Sequence, residues 1–287
     1  METPRTFLAD GDHAARRIGF GAMQLPTSPG AARDASTAVL RRAVALGVPL
    51  VDTAHLYGWG ANEELVAEAL HPWPSEVMVA TKVGVVRDAA TGDWTYDGRP
   101  ESLRRQVDEG LRRLRVEQIA LLQLHRVDPA TPLADQVGAL DELRREGKIA
   151  RIGLSEVSVE QLQVARDVAD VASVQNRYSV FDREYEPVLA ACEAAGVAFL
   201  PWRPVAGAAS GSAAATAVAA IGREVGATPA QVALAWLLAH SAALVPIPGT
   251  KQVAHLEENV AAGQVTLTGD HLRRLDALND LHDPGPS

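Results

Sequence analysis

VDTAHLYG, residues 51–58, follows the short apolar run Val48-Pro49-Leu50 and reads as the end of a buried strand passing into a loop. Asp52 closes that strand and Tyr57 lies five residues on. A carboxylate at the end of a buried strand is costly unless a cation or several donors meet it. Taken alone, Asp52 can also be read as an ordinary cap of the turn that follows.

Outward from this stretch, one unit repeats. Arg17–Gln24 reads as a first strand, Ala35–Leu46 as a helix and Pro49–Asp52 as the next strand. Asn62, ahead of two glutamates, reads as the N-cap of a helix ending at Leu70. Further strands are predicted at Val77–Lys82, Ile119–His125, Ile149–Ser155, Ala172–Gln175, Val197–Trp202 and Leu244–Ile247. Helical faces lie between them, among them Leu103, Val107, Leu111 and Leu114, and then Val137, Leu140 and Leu143. Val85–Arg99 is polar, carries Trp94 and Tyr96, and reads as a long loop. Residues 1–16 are expected to be peripheral, and residues 269–287 to form a closing helix, to Leu281, and a tail. Short apolar strands alternating with helices predict parallel strands covered on both faces. Eight such units in about 250 residues predict an α/β fold of the (β/α)8 TIM-barrel type, as a single domain over 1–287. A doubly wound open sheet ranks behind, because GFGAMQ after the first strand lacks the dinucleotide glycine spacing.

Composition narrows the function. A net charge of −9 with dispersed acids argues against a nucleic-acid partner. No run reaches the roughly 18 apolar residues of a membrane span, and METPRTFLADGDH has no signal-like apolar centre. A cytoplasmic protein with no membrane partner is expected. The one cysteine, Cys192, reads as a small buried residue.

The predicted strand ends are Asp52, Lys82, His125, Ser155, Gln175, Trp202 and Gly249-Thr250-Lys251, all on the rim where barrel enzymes place their sites. Asp52 and Lys82 sit on consecutive strands and can pair. The lysine cation would favour the phenolate of Tyr57, whose ordinary pKa of about 10 is high for proton transfer near neutrality. His125 can donate to a substrate oxygen at the same place. A general acid beside an oxygen-polarising donor suits the reduction of a carbonyl. Ser155 and Gln175 can hydrogen-bond a carboxamide, and Trp202 offers a flat face. PIPGTK, residues 246–251, precedes a helix whose N-terminus can seat a phosphate.

With these residues in place, the chain resembles the aldo-keto reductases over nearly its whole length. Asp52, Tyr57, Lys82 and His125 meet the family's four-part pattern in order, supported by HRVDP at 125–129, IGLSE at 152–156, PGTK at 248–251 and HLEEN at 255–259. The resemblance implies an oxidoreductase that reduces aldehydes or ketones to alcohols, with NADPH as cofactor and NADH second. It implies Tyr57 as proton donor, Lys82 lowering its pKa, Asp52 holding Lys82 and His125 orienting the carbonyl. For the cofactor it implies Gly21, Ser155, Gln175, Trp202, Gly249, Thr250, Lys251, Glu258 and Asn259. Glu156 stands where many relatives have Asn, which leaves the carboxamide to Ser155 and Gln175. Met23 and Gln24, Trp59, and Trp94 or Tyr96 are expected at the substrate pocket. A nucleotide-binding regulatory subunit with little turnover is the alternative. A metal-dependent hydrolase would need a His-x-His pair at the rim, which this chain lacks, so no metal is expected.

Overall fold

The computed structural model describes residues 17–278. Seven parallel strands run in the order β1 (Phe20–Gly21), β2 (Leu50–Asp52), β3 (Met78–Val83), β6 (Leu121–Leu124), β7 (Ile152–Ser155), β8 (Val171–Gln175) and β9 (Ala198–Phe199). An antiparallel hairpin, β4 (Val85–Arg87) and β5 (Trp94–Tyr96), stands apart from them.

The curled sheet closes through residues 244–248. Val245 N donates to Phe199 O and Ile247 N to Pro201 O, while Gly19 N and Gly21 N donate to the carbonyls of Pro246 and Pro248. This segment therefore bonds to both edges, as the eighth stave of a (β/α)8 barrel. Prolines at 246 and 248 have no N–H to give toward β1, so only half of a regular ladder forms on that side. At the seam the backbones are so close that a Cβ on Gly21 would lie 2.9 Å from Ile247 O.

Strand period two sorts the side chains. Val51, Val79, Leu122, Leu124, Ile152, Leu154 and Phe199 point outward and are buried against the helices. Leu50, Ala80, Leu121, Ala198, Leu200, Val245 and Ile247 form a separate cluster inside the barrel. The same inward parity, two residues further along each strand, brings Asp52, Lys82, Gln123, Ser155 and Gln175 to the C-terminal rim.

The helices are α1 (Ala31–Ala45), α2 (Ala61–Leu70), α3 (Pro100–Leu114), α4 (Leu133–Arg145), α5 (Val159–Val168), α6 (Glu186–Ala195), α7 (Ala213–Val225), α8 (Pro229–His240), α9 (Val253–Ala261) and α10 (Gly269–Asp276). Leu103, Val107 and Leu114 of α3 and Val137, Leu140 and Leu143 of α4 are buried, as their spacing predicts. Thr228 starts α8 with a capping box to Gln231, with Pro229 in the first turn. Among the described residues, no helix is long and apolar enough to cross a membrane.

Several expectations need correction. The long loop at 85–99 contains the β4–β5 hairpin, whose turn is held by Asp88 Oδ1 accepting from the N–H groups of Ala90 and Thr91. Asn62 does not cap α2. Gly60 does, in a left-handed conformation that glycine adopts without a Cβ clash. Asn62 is instead a buried clamp: Oδ1 accepts from Thr53 Oγ1 at 2.7 Å and Nδ2 donates to Ala22 O at 2.9 Å. The expected peripheral segment 1–16 and the end of the last helix and tail, 279–287, lie outside the described residues.

Candidate active site

Asp52, Lys82, Tyr57 and His125 meet at the rim. The Lys82 ammonium is fully buried and donates to Asp52 Oδ2 at 2.6 Å, Thr53 O at 2.9 Å and Tyr57 Oη at 3.3 Å. The other oxygen of Asp52 accepts from Gln123 Nε2 at 3.1 Å and Gln175 Nε2 at 2.8 Å. Every strong demand of this buried pair is thus met, the condition under which such a pair persists. Tyr57 is carried by the turn-rich segment after β2. Its N–H donates to Ala54 O and its carbonyl accepts from Asn62 N. The clamp made by Asn62 ties that segment to β1 and β2, so the phenol is held from both ends. The ring of His125 stands edge-on to that of Tyr57, with centroids 6.0 Å apart.

Burial raises the Tyr57 phenol above its ordinary pKa, and the nearby Lys82 opposes this without cancelling it. Lys82 acts to lower the phenol's pKa, but desolvation of the phenolate outweighs the ammonium, so the balance stays above the ordinary value. Burial also works against the Lys82 charge, but Asp52 and Tyr57 together raise its pKa. Burial first, then Lys82, Arg126 and His55, push His125 well below the usual imidazole value. His125 is neutral at physiological pH, and its buried Nδ1 has no protein partner among the described residues. A protonated phenol, a cation behind it and a neutral imidazole beside it form a set that can polarise an oxygen and deliver a proton to it.

A cavity of about 440 Å³ opens over this set. Gly21, Met23, Gln24, Asp52, Tyr57 and His125 line it. Ser155, Gln175, Trp202 and Gly249 also line it, with Arg126 and Arg203. Glu156 points away from the cavity, as its longer side chain suggests. Its Oε1 accepts from the Trp202 indole N–H at 2.5 Å and from Arg177 N at 3.0 Å, and its Oε2 accepts from Tyr185 Oη at 3.2 Å. The carboxylate thus fixes the plane of Trp202. Past the cavity, Thr250 is buried and its Oγ1 accepts from Gln252 N, while Lys251 is exposed. Helix α9 begins after Gln252 with no side-chain cap, leaving its first N–H groups to other acceptors. On α9, Asn259 is buried and Glu258 Oε1 accepts from Thr228 Oγ1.

Two of the expected pocket residues lie elsewhere. Trp59 has a left-handed φ of 54° that carries its ring into a separate charged cleft with Arg33, Glu64 and Arg113. Trp94 is on the hairpin, exposed and edge-on to Tyr96 with centroids 5.3 Å apart. Of those expected, Met23 and Gln24 line the cavity. Sequence reasoning passed over Gln123, Arg126 and Arg203. Gln123 had a signal, since it lies two residues before His125 and so shares its inward parity. Cys192 is buried, and burial pushes its thiol up to about 12.

Residues 17–280 match the sequence model of the aldo/keto reductase family. An uncharacterised oxidoreductase of Schizosaccharomyces pombe is 40% identical over 280 residues, covering 95% of this chain and 90% of the relative. The pyridoxine 4-dehydrogenase of Escherichia coli is 34% identical over 279 residues, covering 94% and 96%. Among solved structures, an aldo-keto reductase of Klebsiella pneumoniae in complex with NADPH superposes with a TM-score of 0.80 at 26% identity, covering 97% of this chain and 96% of that one. A buried Asp–Lys–Tyr–His set at the mouth of a closed parallel barrel, with matches of this length, places the chain in the aldo/keto reductase family.

Proposed function

We propose that the protein reduces aldehyde or ketone carbonyls to alcohols with NADPH, using Tyr57 as the proton donor. One observation carries this reading: the Lys82 ammonium bridges Asp52 Oδ2 and Tyr57 Oη beneath an open cavity.

The donor set of the cavity fits a nicotinamide nucleotide. Gln175 commits its amide nitrogen to Asp52, which leaves its carbonyl oxygen, with the Ser155 hydroxyl, to meet a carboxamide. The indole of Trp202, held by Glu156, offers a flat face. Gly21 and Gly249 bring the two backbones of the seam together at the edge of the cavity. Gly249, Thr250 and Lys251 precede the uncapped N-terminus of α9, which suits phosphate oxygens, and Glu258 and Asn259 lie beyond for the adenosine end. The NADPH bound to the Klebsiella pneumoniae relative supports this choice. When bound, the reduced nucleotide supplies a hydride.

The chain's own residues handle the oxygen. Neutral His125 can donate one hydrogen bond to the carbonyl, fixing its orientation. Tyr57 donates another and, as charge develops on that oxygen, gives up its proton. The Lys82 ammonium stabilises the phenolate left behind. Asp52, held by two glutamines, keeps Lys82 charged and in place.

The test is NADPH oxidation on a small aldehyde panel by wild type and Tyr57→Phe, beside tryptophan fluorescence titrations with NADPH. Loss of a general acid lowers turnover by about 10²- to 10⁴-fold, with the nucleotide still bound. Equal turnover in the two proteins would refute the role of Tyr57. Tight binding without turnover in either would favour a regulatory nucleotide-binding protein.

A further inference from the structure

Arg126 is a cation in the catalytic cavity that the chain leaves without a counter-ion. It follows His125 directly, is half-buried and lines the cavity. Its two hydrogen bonds both use Nη1, to His125 O at 2.7 Å and Ser155 Oγ at 3.3 Å. Among the described residues, no carboxylate lies within ion-pair distance of it, whereas arginines such as Arg33, Arg99, Arg113 and Arg177 each have one. Asp52, the cavity's carboxylate, is already matched by Lys82. The Nε–Nη2 edge of Arg126 is therefore open, and that edge of a guanidinium fits the two oxygens of a carboxylate. The group lies close enough to Tyr57 and His125 to bias both electrostatically. Arg203, exposed and also unpaired among the described residues, lines the same cavity and adds to the positive field.

We propose that the preferred substrates carry a carboxylate next to the reacting carbonyl, as 2-oxo acids do, and that Arg126 binds it through its open edge. The inference rests on carbonyl reduction at Tyr57. The carbonyl carbon gains the hydride of NADPH and its oxygen gains the Tyr57 proton. A 2-hydroxy acid and NADP⁺ result, and the carboxylate is unchanged.

The experiment compares phenylglyoxylate with its methyl ester in wild type, Arg126→Gln and Arg126→Lys. NADPH affinity is titrated in each, with melting curves to confirm folding. Wild type should favour the acid, and Arg126→Gln should lower the acid-to-ester ratio of kcat/KM by about 10- to 100-fold, mainly through KM. Arg126→Lys should recover part of it, and NADPH affinity should change by less than about threefold. An unchanged ratio would overturn the proposal. So would a loss of NADPH affinity as large as the loss in ratio, which would give Arg126 to the cofactor. Calorimetry with phenylacetate on the NADPH-loaded protein separates the two readings. Reduction of the ester but not the acid, with no phenylacetate binding, sinks the anion site and keeps the reductase. Phenylacetate binding abolished in Arg126→Gln, with no turnover of either compound, does the reverse.

Discussion

Asp52→Ala should cost far more than the loss of one hydrogen bond. At 2.6 Å and an effective dielectric near 20, the attraction between Asp52 and Lys82 is about 6 kcal/mol. Desolvation of the two ions offsets much of it, so the pair as a whole stabilises the fold little. Removing only Asp52 leaves a fully buried ammonium facing a carbonyl and a phenol. Breaking a buried pair in this way typically costs about 3–5 kcal/mol. Lys82→Met strands Asp52 instead, but Gln123 and Gln175 still donate to Oδ1, so its cost should fall at the lower end of that range. The double variant removes both charges and should be more stable than Asp52→Ala alone. Urea unfolding of the four proteins, with m unchanged, measures the cycle. Additivity within about 0.5 kcal/mol would refute the coupling. The pH dependence supplies an independent check. In wild type the Lys82 pKa is raised, so its contribution is intact below the ordinary lysine value and is lost as pH climbs through the raised one. In Asp52→Ala burial acts on Lys82 without that partner, so the variant gains stability as the lysine sheds its proton. The gap between the two proteins should narrow as pH rises.

Activity and stability should follow pH in opposite windows for Tyr57 and His125. Tyr57 is raised from about 10, so kcat/KM for carbonyl reduction should hold through neutrality and fall only above about pH 10. A descending limb centred between about 7 and 9 would contradict a phenol that burial keeps protonated. His125 is lowered, so its stability contribution is present above the ordinary imidazole value and lost as pH falls through the lower one. His125→Gln should therefore flatten the acid side of the thermal-stability profile below about pH 6.5. Glu156→Ala releases the indole N–H of Trp202, a bond to a charged acceptor worth about 1.5–3 kcal/mol. Fluorescence titration should show NADPH binding weakened by about tenfold or more, with kcat less affected than KM for the nucleotide. Binding as tight as in wild type would mean that packing alone holds the indole.

The barrel was legible because strand parity and strand-end chemistry agree. An inward residue at the end of each short apolar run belongs to the rim by geometry alone, and this fixes Asp52, Lys82, His125, Ser155 and Gln175 before any contact is known. What escaped depends on where a side chain goes after leaving its backbone. Asn62 has a capping side chain in a capping position, yet Gly60 can take the left-handed turn more cheaply, and Asn62 is then free to clamp β1 to β2. Three-residue strands such as VVR and WTY are too short for an alternation signal, so the β4–β5 hairpin reads as loop and the direction of Trp94 is lost with it. Pro246 and Pro248 would normally argue against a strand, but their carbonyls still accept from Gly19 and Gly21, so the closing segment keeps half a ladder on the side where their N–H groups are missing. The same distinction separates Glu156 from Arg126. Both are charged residues that directly follow a rim residue, and neither position reveals its partner. Glu156 is satisfied within the fold by Trp202, Arg177 and Tyr185 and so acts through them. Arg126 keeps one edge unsatisfied in the cavity that holds the reacting groups, and among the described residues nothing within the chain supplies the charge that edge is shaped to take.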